Sequence, residues 1–367
     1  MRVALRWLGT LLLFAAAGLC FAPTLVPPFL DRIYYRGPPS GHYDGERFFN
    51  PDGPAPLSQG RRRNFFSRWA ASDERARWPA HVPVAPTVPP RRVAGAAMRV
   101  TWIGPSTVLV QTAGLNILPD PIWAERASPV AVAGPRRVRA PGVRFADLPP
   151  IDLVLVSHNH YDHLDLATLR RLWERDRPLI VTSLGNDTIV AQAGAASVAA
   201  DWGGRVPVRA ARRLADGRDE GPVEVIVERN HHWGSRWFTD RNRALWSAFT
   251  VVTPAGNIFF AGDTGWGDGS WVREVARRGP FRLALIPIGA YEPRDFMRTH
   301  HINPEEAVAI FEALDPARAL GVHWGTFQLT FEPIDQPRRR LAALRRARGI
   351  AEDRFVAVEA GQGFEVP

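Results

Sequence analysis

Ile151-Asp152-Leu153-Val154-Leu155-Val156-Ser157-His158-Asn159-His160-Tyr161-Asp162-His163 is the stretch that decides the fold. Its first six residues have the composition of a buried strand. That strand runs straight into three histidines and one aspartate within six residues, and Leu166 to Trp173 then reads as a helix. In extended backbone His158 and His160 point to the same side, because side chains alternate with period two, so both can bind one metal. Asp162 and His163 follow after the chain turns and can reach a second metal nearby. Burying four such groups together without a metal is costly. Neutral imidazoles and a carboxylate suit zinc, and also iron or manganese.

The same design recurs further along. A strand over Val223 to Glu228 precedes His231-His232-Trp233, and one over Asn257 to Ala261 ends in Gly262-Asp263-Thr264-Gly265. A third, Ala319 to His323, ends in His323-Trp324-Gly325. An acid or imidazole at a strand end, next to glycine, is a recurring way to present a ligand into a cleft. Alone, Asp263 reads equally as a turn aspartate and His323 as a satisfied core histidine. With the first run they supply donors for two metals. Further strands are expected over Met98 to Ile103, Thr107 to Gln111, Asn116 to Leu118, Leu179 to Thr182, Leu245 to Thr253 and Leu283 to Ile286. Helices are expected over Pro304 to Leu314, with Pro304 at the start and Glu305 and Glu306 in the first turn, and over Gln336 to Ala347. Strand runs in both halves, interleaved with helices, predict an α/β fold of two packed sheets with helices outside.

The chain of 367 residues is 46% hydrophobic and 23% charged, an ordinary globular balance that excludes a disordered protein. Cys20 is the sole cysteine, which excludes an intramolecular disulfide and a cysteine-rich zinc site. The net charge is +9, carried entirely by arginine. It fits either an electropositive surface or a plain solvated one. Arg61-Arg62-Arg63 before Asn64-Phe65-Phe66 is the nearest approach to a nucleic-acid platform and is short, so nucleic acid is not the expected partner.

Arg2 and Arg6 precede an uncharged run from Trp7 to Leu30, most apolar from Trp7 to Ala22, which Pro23, Pro27 and Pro28 would end. This is the layout of a signal peptide or membrane anchor over residues 1–30, with the body exported. In a bacterium that is the periplasmic side. Leu19 before Cys20 argues against a lipoprotein, and a buried amino-terminal helix in a cytoplasmic protein is the other reading. Residues 31–95 are rich in Pro, Gly and Arg and read as an irregular segment lying on the catalytic domain. Tyr34, Tyr35, Phe48, Phe49, Phe65, Phe66, Trp69 and Trp78 would either pin it down or face lipid. Residues 96–367 form the expected hydrolase domain.

The pattern resembles the metallo-β-lactamase superfamily, and within it the branch of N-acylphosphatidylethanolamine-hydrolysing phospholipase D. The matching pieces are Ser157 to Asp165, His232-Trp233, Phe260 to Gly265, Ile288-Gly289-Ala290-Tyr291, His301 to Ala307 and Val322 to Phe327. The resemblance implies an αββα sandwich with two zinc ions at one edge. His158, His160 and His232 would hold one ion, Asp162, His163 and His323 the other, and Asp263 would bridge them. His232 matches better than His231 because it directly precedes Trp233. His301 falls near the metals, where it would touch substrate or leaving group, and Tyr291 falls on the substrate side. The chain departs from the family at Pro105, where histidine is common, and at Pro119-Asp120, where threonine commonly precedes the aspartate. Neither is an expected ligand.

The implied activity is a phosphodiesterase acting on an anionic or amphiphilic lipid-like substrate at a membrane surface. Two ions about 3.5–4 Å apart would acidify a water and stabilise charge on phosphoryl oxygens, with Asp162 and Asp263 as ligands that can accept a proton. The same ligand set would serve a lactone, β-lactam or amide hydrolase, or a nuclease of the same fold. A non-catalytic envelope protein could also retain the fold, but would have no need of all seven positions. The oligomeric state is open.

Overall fold

The structure, a computed structural model, describes residues 7, 9–18, 32–53, 74–208, 221–237 and 239–367. Most of the expected anchor, together with Arg61 to Phe66 and Trp69, lies outside the described residues. Residues 9–18 are helical, and no helix among the described residues is long and apolar enough to cross a membrane.

Two seven-stranded mixed sheets face each other. The first contains β1 (Met98–Trp102), β2 (Val108–Thr112), β3 (Leu115–Pro119), β4 (Leu153–Val156), β5 (Leu179–Ser183) and β6 (Val198–Ala200), with β14 (Gly363–Glu365) beside β1. The second runs β7 (Arg205–Pro207), β8 (Glu224–Glu228), β9 (Ala248–Val252), β10 (Asn257–Phe260), β11 (Phe281–Pro287), β12 (Arg318–Val322) and β13 (Phe355–Val356). Each sheet is an antiparallel meander that becomes parallel. The change comes at β3 in the first sheet and at β10 in the second.

The central strands are apolar on both faces because both faces are covered. In β4, Leu153 and Leu155 enter the core between the sheets, while Val154 and Val156 face an outer cluster. That cluster includes Leu169 and Leu172 of α1 (Leu166–Asp176) and Ile189 of α2 (Asn186–Val190). On the far side, α3 (Ser270–Ala276), α5 (Pro304–Leu314) and α6 (Gln336–Arg348) place Val272, Phe311 and Leu341 against the second sheet. A short α4 (Arg294–Met297) precedes α5. The layers are helix, sheet, sheet, helix, the expected αββα sandwich. The short edge strands β6, β7, β13 and β14, of two or three residues each, were not anticipated. Such runs carry too few residues for a period to register.

Helix starts are set by side chains as much as by periodicity. Asp165 caps α1 through Ala167 N and Thr168 N. Asn303 and Glu306 form a reciprocal capping box at α5, with Pro304 in the first turn. Both caps directly follow segments that bear candidate site residues.

Candidate metal centre

The cleft lies where the strands of both sheets end. After β4 the chain turns at once, and His163 N and Leu164 N bond back to His160 O. This turn gathers His158, His160, Asp162 and His163, and Asp165 then starts α1. From the second sheet come His232 after β8, Asp263 after β10 and His323 after β12.

These side chains fall into two groups whose nearest donor atoms all lie within 4.8 Å of one another. One is His158, His160 and His232, and the other is Asp162, His163, Asp263 and His323. Asp263 lies between them: its Oδ2 is 3.1 Å from His163 Nε2, 3.2 Å from His323 Nε2 and 4.0 Å from His232 Nε2. His323 Nε2 is also 3.2 Å from Asp162 Oδ2. His301 joins at the side, with Nδ1 3.8 Å from Asp263 Oδ2 and its ring stacked on His323 at 5.5 Å. His231 does not join either group. Its Nδ1 is 2.8 Å from Asp52 Oδ2 instead. Tyr291 is fully buried under the Arg340 guanidinium, 5.5 Å from the ring centroid, and belongs to neither group.

In His163 and His232 the outer nitrogen is held and the inner one left available, while His158 Nε2 meets His160 Nδ1 at 2.8 Å. His158 Nδ1 is 2.9 Å from Ser157 Oγ, His163 Nδ1 is 2.5 Å from Asp120 Oδ2, and His232 Nδ1 donates to His300 O at 2.8 Å. His163 Nε2, His232 Nε2 and Asp263 Oδ1 are buried without a hydrogen-bond partner. An unpaired buried polar atom costs about 1–3 kcal/mol. Several such atoms brought together, with the histidines among them backed by a partner on the far side, is what a metal ligand set requires. The donors fit zinc, and equally iron or manganese.

Charge divides the two groups. Burial, then neighbouring His163 and His160, keeps His158 well below the ordinary histidine value. Burial outweighs Asp162 and takes His160 down to about 3. His232 is also held well below by burial and by His158. These three imidazoles are neutral at pH 7, as ligands must be. In the other group burial opposes charge at His163, yet Asp263, Asp162 and Asp120 raise it well above the usual range. His323 is raised against burial by Asp263 and Asp162. In turn, His163 and His323 hold Asp162 and Asp263 well below the carboxylate range despite their burial. Burial lowers His301 to about 4, so it too is neutral.

Supporting residues explain how the site is fixed. Asp120, which the sequence reading left outside the ligand set, is fully buried at the end of β3. It accepts from Ser157 N at 2.8 Å and Ser157 Oγ at 2.6 Å, as well as holding His163. The available signal was the strand-end acid pattern already used for Asp263. Pro105, the other departure from the family pattern, supplies a carbonyl that accepts from His323 N at 2.9 Å. His323 itself has φ of +60°, a conformation that costs a side-chain-bearing residue about 1–3 kcal/mol and persists only where its surroundings impose it. Gly289 contributes: a Cβ there would lie 2.2 Å from His323 O. Trp324, next in the chain, stacks on Trp102 at 5.1 Å with the Arg139 guanidinium 5.2 Å from its ring.

Comparisons with known proteins bear on the fold and the family. Residues 115–324 match the family described as a β-lactamase superfamily domain. A relative named N-acyl-phosphatidylethanolamine-hydrolyzing phospholipase D 1, from Caenorhabditis elegans, is 36% identical over 274 residues, covering 72% of this chain and 75% of its own length. A metal-dependent hydrolase of Pyrobaculum neutrophilum is 28% identical over 255 residues, covering 68% of this chain and 95% of its own. Among solved structures, an isothiocyanate hydrolase from Delia radicum gut bacteria superposes with a TM-score of 0.55 at 20% identity. That superposition covers 73% of this chain and 98% of the other, and shows a shared fold.

Proposed function

The chain belongs to the metallo-β-lactamase superfamily of metal-dependent hydrolases and resembles its N-acylphosphatidylethanolamine-hydrolysing branch, and from that membership we propose that it is a binuclear zinc phosphodiesterase acting on a phospholipid or lipid-like phosphoester. The observation that carries this reading is the convergence of His158, His160 and His232 beside Asp162, His163, Asp263 and His323, with Nε2 of His160, His163 and His232 and Oδ1 of Asp263 buried and unpartnered. The identity to a relative named for phospholipid hydrolysis supports the choice of substrate class.

These seven side chains would hold a pair of ions, which would supply a water acidified toward neutrality and positive charge for the phosphoryl oxygens. The protein's own part is to orient and to hold protons. Asp120, Ser157 and His300 O fix the ring planes of His163, His158 and His232. Asp162 and Asp263 stay ionised, so each would act as a ligand and as a hydrogen-bond acceptor for the proton the nucleophile gives up. His301, neutral and beside Asp263, faces the substrate or the leaving group and can exchange one hydrogen bond with it. Tyr291 stands as a substrate-side residue through the resemblance alone, since its side chain is fully buried. Residues 1–30 hold the enzyme at a membrane surface or direct its export. The arginine-rich body favours an anionic amphiphile.

The test is metal content of the full-length protein, paired with turnover of bis-p-nitrophenyl phosphate, a chromogenic β-lactam and a lactone. About two zincs per chain with phosphodiester turnover is the expected result. N-acylphosphatidylethanolamine vesicles follow. Turnover of the lactone or lactam alone would redirect the reading to carbonyl chemistry. No metal and no turnover would leave a retained fold without the reaction.

A further inference from the structure

Asn50 and Asp52 stand far upstream of the matched span of residues 115–324, in a segment that supplies no ligand. Yet Asp52 reaches both loops that carry His232 and Asp263, and Asn50 reaches the first of them. Asn50 Nδ2 donates to His232 O at 2.9 Å, and Asn50 Oδ1 accepts from Trp246 Nε1 at 3.2 Å. Asp52 Oδ2 is 2.8 Å from His231 Nδ1 and accepts from Asp268 N at 3.1 Å, while Oδ1 accepts from Arg229 Nη2 at 3.0 Å. One carboxylate, its side chain 4% exposed, thus joins the loop after β8 to the loop after β10. Gly267 makes this possible: a Cβ there would lie 2.2 Å from Asp52 Oδ2 and 2.6 Å from His231 Nδ1. The two loops also bond directly, Gly265 N to His231 O at 2.6 Å and His231 N to Thr264 Oγ1 at 3.0 Å.

The segment that bears these residues is anchored independently. Tyr43 and Phe48 pack with Leu245 and Trp246 in a cluster of their own. Phe48 N donates to Asn242 O at 2.8 Å, and Tyr34 Oη donates to Asp240 at 2.8 Å. This packing holds Asn50 and Asp52 against the loops.

We propose that Asn50 and Asp52 are positioning residues of the metal centre: residues 32–53 act as a strap that clamps the His232 and Asp263 loops together and so sets the spacing between the two ligand groups. The inference rests on the two-metal reading above for its consequence, but the clamp itself is a property of the chain.

The experiment compares Asn50→Ala, Asp52→Ala and Asp52→Asn with the unaltered full-length protein. Val110→Ala, a core change in the first sheet away from the strap, serves as the control for lost stability. Zinc affinity is measured by chelator competition, and amide exchange is followed over residues 229–233 and 263–268. Asp52→Ala should weaken zinc binding about 10–100-fold, as loss of a ligand's supporting partner does. It should also speed exchange in both loops together, although they lie on different strands. Asp52→Asn, which keeps one acceptor oxygen, should recover part of both effects, and Val110→Ala should show neither. Unchanged affinity and exchange in Asn50→Ala and Asp52→Ala would overturn the proposal, as would an equal loss in Val110→Ala. If the unaltered protein binds no metal, the two-metal reading fails. The exchange data then decide the clamp alone: coupled loosening supports it and unchanged loops refute it.

Discussion

The first sheet turns from a meander into parallel strands at β3 and places Asp120 at that strand's end; the second does so at β10 and places Asp263 just beyond it. The two carboxylates occupy matching positions and do opposite work. Asp120 holds a histidine from behind, and burial raises its carboxyl above the usual range even with His163 beside it. Asp263 stands among the donors, kept ionised by His163 and His323. His163 lies between them, Nδ1 on Asp120 and Nε2 toward Asp263. The halves also differ in delivery. The first supplies four donors from one turn, whereas the second supplies three from three strand ends, each with its own support. A compact loop needs one carboxylate to lock it, and dispersed donors need the surrounding chain.

The hardest test of that contrast is Asp263→Ala. It removes the residue between both groups, so on the proposed two-zinc reading metal content should fall from two to one or none, and turnover by more than the roughly 10–100-fold expected for loss of a supporting residue. His160→Ala should likewise strip most metal and activity while circular dichroism still reports a folded protein; turnover at the parental rate would dismiss the site assignment. Asp120→Asn should be milder, with zinc affinity about 10–100-fold weaker at the Asp162, His163, Asp263 and His323 group and little change at the three histidines. Equal losses from Asp120→Asn and Asp263→Ala would erase the distinction between the two carboxylates.

Proton linkage sharpens the comparison next. His163 and His323 have raised values in the metal-free fold, so they add stability below the unfolded value of about 6.5 that is lost as pH rises through those raised values. His158, His160 and His232 are lowered; their contribution is present above about 6.5 and lost as pH falls, for His160 toward about 3. On the proposed two-zinc reading, binding would displace protons from the carboxylate-bearing group and not from the three imidazoles. Titration calorimetry in buffers of different ionisation enthalpy should show one ion binding with proton release and the other nearly without. Its affinity for the first should rise between about pH 6 and 8. Matching proton release for both ions would contradict this.

The smallest expected effect concerns the helix caps. Asn303→Ala should cost about 1 kcal/mol. Asp165→Ala should cost more, toward about 2 kcal/mol, because Asp165 also accepts from Trp123 N, Ala124 N and Thr168 Oγ1. Thermal melts of the two variants decide the order.

Four donors were legible because they are adjacent. His158, His160, Asp162 and His163 declare themselves through spacing alone. Asp263 and His323 were legible as acid and imidazole at apolar strand ends, and only in company with the first run. Asp120 shows the same strand-end signature and was passed over, since an acid that backs a ligand looks in sequence like any turn aspartate. Asn50, Asp52 and the His300 carbonyl gave no local sign, and Pro105 showed only as a departure from the family pattern. Their contacts join residues more than 60 apart, and two of them use backbone atoms that every residue carries.

By itself the sequence determined the layers, since apolar runs with period two or 3.6 demand burial on defined faces, and it determined the chemistry of the first turn, since adjacency brings those groups together in any fold. The tertiary structure decided which strand ends meet, that Asp263 stands between the groups while Asp120 stands behind one, and which way each imidazole is turned. The physical reason is that ligand geometry and charge state depend on distances between segments far apart in the chain and on burial, neither of which a linear pattern carries.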